Sequence, residues 1–265
     1  MLRIAVSGAA GGMGKTLVQE VCDSQDVQLT HATEMPGNSS IGSDAGTLAG
    51  VGDVGVEVKD KLDPEMFDVL IEFTTPEATM QHVAQCAAAG KDIVIGTTGL
   101  TEEDSSELQN AAQNIRVVAA PNMSVGVNLC LKLLQTAATT FGDSVDVEVI
   151  EAHHRAKVDA PSGTALKMGE VVAETLGRSL GEHGRFVRHG RTGAREDKTI
   201  GFATIRAGDI VGEHTVMFAA PGERVEITHR SSSRMTYASG SVRAALWLSS
   251  RPPGLYQMTD VLGFD

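Results

Sequence analysis

The sequence predicts an α/β fold with a parallel sheet, joined to a second domain of mixed α+β character. Three observations carry this. Through the first half, short apolar runs alternate with helix-length segments, the signature of βα units packed on a parallel sheet. A glycine-rich loop, Gly8-Ala-Ala-Gly-Gly-Met-Gly14, stands between the first apolar run and the first helical segment. Beyond Thr140 the pattern changes to longer strands of alternating character, joined by Gly208-Asp209 and Pro221-Gly222-Glu223 turns.

Taken in order, Arg3-Ile-Ala-Val-Ser7 reads as a buried strand, Met13 to Asp23 as a helix and Val27 to Thr33 as a second strand. Val69-Leu-Ile-Glu-Phe73 is a later strand, and Glu77 to Gly90 is a helix stopped by its glycine. Ile93 to Ile95 and Ile115 to Ala119 are strands around a helix from Thr101 to Gln113, with Thr101 set to cap through Asp104. A helix from Val127 to Thr140 precedes Val145-Asp-Val-Glu-Val-Ile150, a strand of period two. Ala165 to Leu176 is helical, and Gly177 to Asp197, rich in Gly and Arg, reads as a long loop whose Arg185, Arg188 and Arg191 are solvated or bind substrate. Phe202 to Arg206, Val211 to Phe218 and Val225 to Arg230 read as a meander, and Tyr237 to Leu248 as a last helix.

With 265 residues, 42% hydrophobic and 21% charged, the chain can bury one large core or two smaller ones. A net charge of −12 speaks against nucleic-acid partners held through phosphates, so an anionic ligand must be met by a local basic site. Cys22, Cys86 and Cys130 are widely separated, in helical segments and without zinc-type spacing, which points to reduced core thiols, no metal and a cytoplasmic location. No apolar stretch approaches the ~20 residues of a membrane span, so no membrane association is expected.

The glycine loop lies where a tight turn and close approach to a phosphate both require missing side chains. Gly8, Ala9, Ala10, Gly11, Gly12 and Met13 are the candidate cofactor contacts there. Two readings compete. In a dinucleotide fold, Glu34 at the end of the second strand meets the ribose hydroxyls. In a P-loop, Ala9 to Thr16 supplies the phosphate cradle and Glu72 the acid for magnesium, but Ala9 stands where a glycine is wanted. Gly96, Thr97 and Thr98, and then Ala120, Pro121, Asn122 and Met123, follow two further strands of the sheet, where α/β ligands bind.

The densest chemistry is Glu151-Ala-His-His-Arg-Ala-Lys-Val-Asp-Ala-Pro-Ser-Gly-Thr-Ala165, at a strand exit. If the strand continues, His153 and His154 point to opposite faces. Lys157 and Arg155 favour an anionic substrate, and Ser162-Gly163-Thr164 opens a helix whose amides suit a carboxylate. The bland reading of the same residues is a polar loop with a helix cap.

Together with Gly96-Thr-Thr-Gly99, Asn122-Met-Ser-Val-Gly126 and Gly201-Phe-Ala-Thr-Ile-Arg-Ala-Gly-Asp-Ile-Val-Gly-Glu-His214, these segments resemble the dihydrodipicolinate reductase family nearly end to end. The resemblance implies a Rossmann-type dinucleotide-binding domain (1–124 and 235–265) and an α+β domain with an open mixed sheet (125–234) that binds substrate and forms a homotetramer. It implies a cytoplasmic enzyme that uses NADH or NADPH to reduce 4-hydroxy-tetrahydrodipicolinate to tetrahydrodipicolinate, with loss of water, on the diaminopimelate route to lysine. His153 and Lys157 then correspond to the proton-handling residues, and His154, Lys157, Ser162, Gly163 and Thr164 hold the small dicarboxylate. Cations that meet the 2′-phosphate of NADPH in the family are replaced here by Met35, Gly12 and Thr75, so NADH is the expected preference. A P-loop hydrolase and a noncatalytic NAD-binding sensor are the other readings.

Overall fold

The chain runs β1 (Leu2–Ser7), α1 (Gly12–Asp23), β2 (Val27–Thr33), α2 (Ala45–Ala49), β3 (Val58–Lys59), β4 (Val69–Glu72), α3 (Pro76–Ala89), β5 (Asp92–Ile95), α4 (Glu102–Ala111) and β6 (Arg116–Ala119). It continues with α5 (Val125–Phe141), β7 (Asp146–His153), α6 (Gly163–Thr175), α7 (Leu180–His183), β8 (Gly184–Arg185), β9 (Ile200–Arg206), β10 (Gly212–Ala220) and β11 (Glu223–Ser231). It closes with α8 (Met235–Leu248), β12 (Gly254–Tyr256) and α9 (Met258–Leu262). This is a computed structural model, and it describes residues 1–264. Two units emerge: Met1–Val125 together with the segment from Arg234 onward, and Gly126–Ser233.

The first unit is a seven-stranded sheet in the order β12-β6-β5-β4-β1-β2-β3, with every pair parallel. Its central strands are buried on both faces, which is why Val69–Glu72 and Asp92–Ile95 show no solvent-facing alternation. The order reverses between β4 and β2 on either side of β1, so the crevice at the strands' carboxyl ends opens at β1. Local signals set the helix ends. Thr75 caps α3 with Pro76 in its first turn, and Gly90 ends it in the left-handed region at φ 66°. Thr101 and Asp104 form the reciprocal cap of α4.

The second unit is a five-stranded sheet in the order β11-β10-β7-β9-β8. It corrects the meander expectation: β7 lies between β9 and β10, parallel to the first and antiparallel to the second, and only β10 and β11 form a hairpin. Alternation specifies which face of a strand is buried but not which neighbour it takes, and β7 is the strand that belongs at the centre. Its Val147 and Val149 meet Val216, Phe218, Ile200 and Phe202 in a core covered by α5 and α6, through Leu134, Ala138, Met168 and Val172. Gly169 lets α6 approach, because a Cβ there would sit 2.5 Å from the Phe202 ring.

Two further expectations are corrected. Gly177 to Asp197 is not one structureless loop: it holds α7 and β8, with Arg185 paired to Glu196 at 2.6 Å and Arg188 paired to Glu148 on β7. Each arginine pairs with an acid of its own unit while its side chain stays about 40% exposed. The C-terminal segment adds β12, parallel to β6, and α9, which the sequence reading did not separate. Cys86 and Cys130 are buried and Cys22 is partly exposed; all three are free thiols. No helix among the described residues is long and apolar enough to cross a membrane.

Candidate active site

In the first unit, the glycine loop turns from β1 into α1 with Gly8 at φ 61°. Gly11 N–H donates to the Gly8 carbonyl at 3.0 Å, and Ala9 N–H donates to the Thr33 carbonyl at 3.0 Å, which pins the loop to the end of β2. A Cβ on Gly14 would collide with the Gly8 carbonyl, so the close approach of α1 to this loop depends on glycine. No side chain caps α1, which leaves its first amides facing outward where a pyrophosphate would lie.

Glu34 is fixed at the adjacent strand end. It accepts from Ala10 N–H at 3.0 Å, Met35 N–H at 3.1 Å and Asn38 Nδ2 at 3.2 Å. Gly96 packs under the Phe73 ring. Thr98 is exposed, while the Thr97 hydroxyl is buried and paired with Thr79 Oγ1 at 2.8 Å, so that hydroxyl braces the loop. In the loop after β6, Ala120 N–H donates to the Ile95 carbonyl at 3.0 Å, Asn122 Oδ1 accepts from Ser124 N–H at 2.9 Å, and Met123 is fully buried with Pro121 exposed beside it. The cradle therefore has the shape and donors that a dinucleotide needs. Sequence reasoning missed Arg234, whose Nη1 stands 3.2 Å from where a Cβ on Gly12 would lie, because nothing in the local sequence joins them.

In the second unit, β7 extends to His153, three residues past the expected end, and carries Glu151 and His153 inward. Glu151 is 1% exposed. It accepts from His153 Nδ1 at 2.6 Å, from both terminal nitrogens of Arg206 at 2.8 Å, and from Ser162 N–H at 3.1 Å. Burial works to raise its pKa, but the bonds from Arg206 and His153 outweigh that and hold the carboxyl below the usual range. The bond at Nδ1 fixes the ring plane of His153 and directs Nε2 away from Glu151. Gly212 passes close by: a Cβ there would lie 3.1 Å from that Nε2.

The Ser162 side chain bonds to groups of its own unit. Its hydroxyl caps α6 through Ala165 N–H at 3.2 Å and pairs with His214 Nε2 at 2.9 Å, and the residue is 2% exposed. His214 packs edge-on against His153 with ring centroids 5.0 Å apart. Burial, then the neighbouring His153, pushes its pKa down to about 4, so it is neutral at physiological pH. Lys157 is partly buried and pairs with Asp159 at 2.7 Å. Half-buried His154 and Thr164 and exposed Gly163 lie at the same strand exit and helix start. The structure thus brings His153, His154, Lys157, Ser162, Gly163 and Thr164 to one end of this sheet. Glu151, Arg206 and His214 were not singled out from sequence. The alternation that turns Glu151 inward was the available signal, whereas Arg206 and His214 arrive from distant strands.

The dihydrodipicolinate reductase N-terminal family model matches residues 2–123 and the C-terminal model matches residues 126–262. The chain belongs to the dihydrodipicolinate reductase family. A 4-hydroxy-tetrahydrodipicolinate reductase from Hahella chejuensis (strain KCTC 2396) is 60% identical over 265 residues, spanning 99% of each chain. A dipicolinate-bound dihydrodipicolinate reductase from Paenisporosarcina sp. TG-14 superposes with a TM-score of 0.78 at 25% identity, covering 98% of both chains. An amine dehydrogenase from Mycobacterium smegmatis, at 15% identity and TM-score 0.58 over 97% of this chain and 95% of its own, shares the fold. The P-loop reading falls at the same point. Glu72, its magnesium acid, is fully buried and saturated with hydrogen bonds from Ser7, Thr74 and His82.

Proposed function

We propose that this chain reduces 4-hydroxy-tetrahydrodipicolinate to tetrahydrodipicolinate, with loss of water, on the diaminopimelate route to lysine. The observation that carries the reading is the Glu151–His153 pair at the exit of β7, on the same segment as Lys157 and the α6 N-terminus, in a chain matched by the family along both halves. Such a substrate bears two carboxylates on a ring with a carbon–nitrogen double bond, so it asks for anion donors and a proton source. Gly163 and Thr164 head α6 and offer backbone amides and the positive helix end to one carboxylate. His154 adds a donor beside them. The dipicolinate named in the Paenisporosarcina structure is a dicarboxylate of this kind.

Lys157 is the proton donor in this proposal: its ammonium favours the negative charge that hydride brings to the ring and then protonates the resulting enamine to give the product. His153, oriented by Glu151, is the other group placed to deliver that proton. The nicotinamide, when bound, supplies the hydride. The residues that hold it are Gly8, Ala9, Ala10, Gly11, Gly12 and Met13 at the phosphates, Glu34 at the ribose, and Gly96 to Thr98 with Ala120 to Met123 along the rest.

NADH is the preferred cofactor in this reading. Glu34 is held in place by three donors, and a 2′-phosphate beside it would meet its charge, with apolar Met35, 70% exposed, next in the chain. Arg234 adds a cation by Gly12, which the argument from sequence did not include. A kcat/KM for NADPH equal to or above that for NADH would reverse the assignment. The enzyme works as a cytoplasmic homotetramer: three free cysteines suit a reducing compartment. In the second unit, the sheet face opposite α5 and α6 carries Ile150, Ala203, Ile205 and Met217, with Ile205 48% exposed. The direct test of the chemistry is Lys157→Ala, whose turnover falls while the protein still binds NADH.

A further inference from the structure

Glu72 ends β4 inside the first unit with no exposure to solvent, and the reaction gives it nothing to do. Its carboxylate accepts from Ser7 Oγ at 2.6 Å, Thr74 N–H at 2.7 Å, the Thr74 hydroxyl, and His82 Nδ1 at 2.5 Å. Burial favours the neutral acid, but those donors, His82 foremost, hold the carboxyl below its usual range. The donors come from three places: Ser7 closes β1 just before Gly8, Thr74 lies in the loop leaving β4, and His82 is on α3.

The loop so held touches both glycine loops. Thr74 Cγ2 stands 2.9 Å from the Cβ position at Gly8, and the Phe73 ring fills the space a Cβ on Gly96 would need. The Thr79–Thr97 hydroxyl pair ties α3 to the second glycine loop from the other side. Moving Thr74 therefore moves Gly8, and moving Phe73 moves Gly96.

We infer that Glu72, backed by His82, is a positioning residue for the dinucleotide: it clamps the β1–α1 and β4–α3 loops at the spacing the cofactor requires. It acts through those loops and touches neither cofactor nor substrate. The inference rests on the cofactor reading of the glycine loops given above. A glutamine at this position keeps the volume but removes the charge that draws these donors and turns one acceptor oxygen into a donor, so Ser7, Thr74 or His82 must reverse or give up its bond. Loops that are no longer preorganised must be ordered during binding, and the loss is read in cofactor affinity.

The test compares Glu72→Gln and Thr74→Val with the wild type in NADH titrations, steady-state kinetics and thermal unfolding. Thr74→Val keeps a branched side chain against Gly8 and removes only the hydroxyl, so it decides the matter if Glu72→Gln fails to fold. The expected result is a rise in NADH Kd and KM of about tenfold or more for Glu72→Gln and roughly threefold for Thr74→Val, with kcat and substrate KM within about twofold. Unchanged NADH affinity in the folded variants would overturn the inference, as would kcat and both KM values changing in proportion. A wild type that neither binds nor oxidises NADH would overturn both this and the function on which it rests. A wild type that does both, beside a Glu72→Gln of equal affinity, would overturn this alone.

Discussion

Glu151 shows how one buried carboxylate organises chemistry at the scale of a residue. It receives the ring of the histidine proposed to handle the proton, a bidentate arginine and the backbone of the helix cap, so His153 and the head of α6 are set by the same atom pair. Lys157→Ala should lower kcat by about two to four orders of magnitude, the range expected for a lost general acid. Turnover within a few-fold of wild type would remove Lys157 from the mechanism. The same cluster predicts how stability responds to acid. Glu151 is favoured ionised in the fold, so its contribution is whole above the ordinary glutamate value of 4.5 and is lost as pH falls through its lower folded value. His214 acts sooner. Between 6.5 and about 4 the unfolded chain takes up a proton that the folded His214 refuses, so stability declines across that window by roughly 3 kcal/mol. Urea unfolding near neutrality and at about pH 5 checks this: His214→Gln should lose less stability than wild type over the interval. Equal losses would assign the titration to another group.

At the scale of elements, the glycines that matter are those where two pieces of backbone meet. Gly240 on α8 is one: a Cβ there would collide with the Met123 carbonyl, which belongs to the loop after β6. Gly240→Ala should therefore destabilise the first unit by about 1–3 kcal/mol, seen as a lower Tm together with weaker NADH binding. An unchanged Tm would mean that α8 has room to shift. Elements written locally were legible in the sequence: the Thr101–Asp104 cap, the Gly90 stop and the buried strands of the parallel sheet depend on residues a few positions apart. So were the glycine loop and the histidine-rich strand exit, since their residues are contiguous. What was not legible depends on partners far along the chain. The insertion of β7 between β9 and β10, the pairing of β12 with β6, and the Arg206–Glu151 and Ser162–His214 bonds join positions that no periodicity connects. Arg188, read as solvated or substrate-binding, pairs with Glu148 on β7, as does Arg195.

On the scale of the whole molecule, each unit has its own core, and the proposed function gives the first the dinucleotide and the second the proton chemistry, with the sheet face opposite α5 and α6 for assembly. Burying that face in a tetramer predicts that the 27.8 kDa chain elutes at four times its mass in light scattering, and that Ile205→Glu, by placing a charge on the face, shifts the population to smaller species. A wild-type monomer at micromolar concentration would contradict this. The central claim is the reaction itself. The measurement that tests it most directly follows NADH oxidation by the purified chain, with substrate generated in place from pyruvate and aspartate semialdehyde by the preceding condensation. The account predicts rapid oxidation that depends on both the chain and the complete substrate mixture, is faster with NADH than with NADPH, and is abolished to background in a His153→Ala, Lys157→Ala double variant that still binds NADH. Oxidation no faster than the chain-free control, or unaffected by the double substitution, would contradict it.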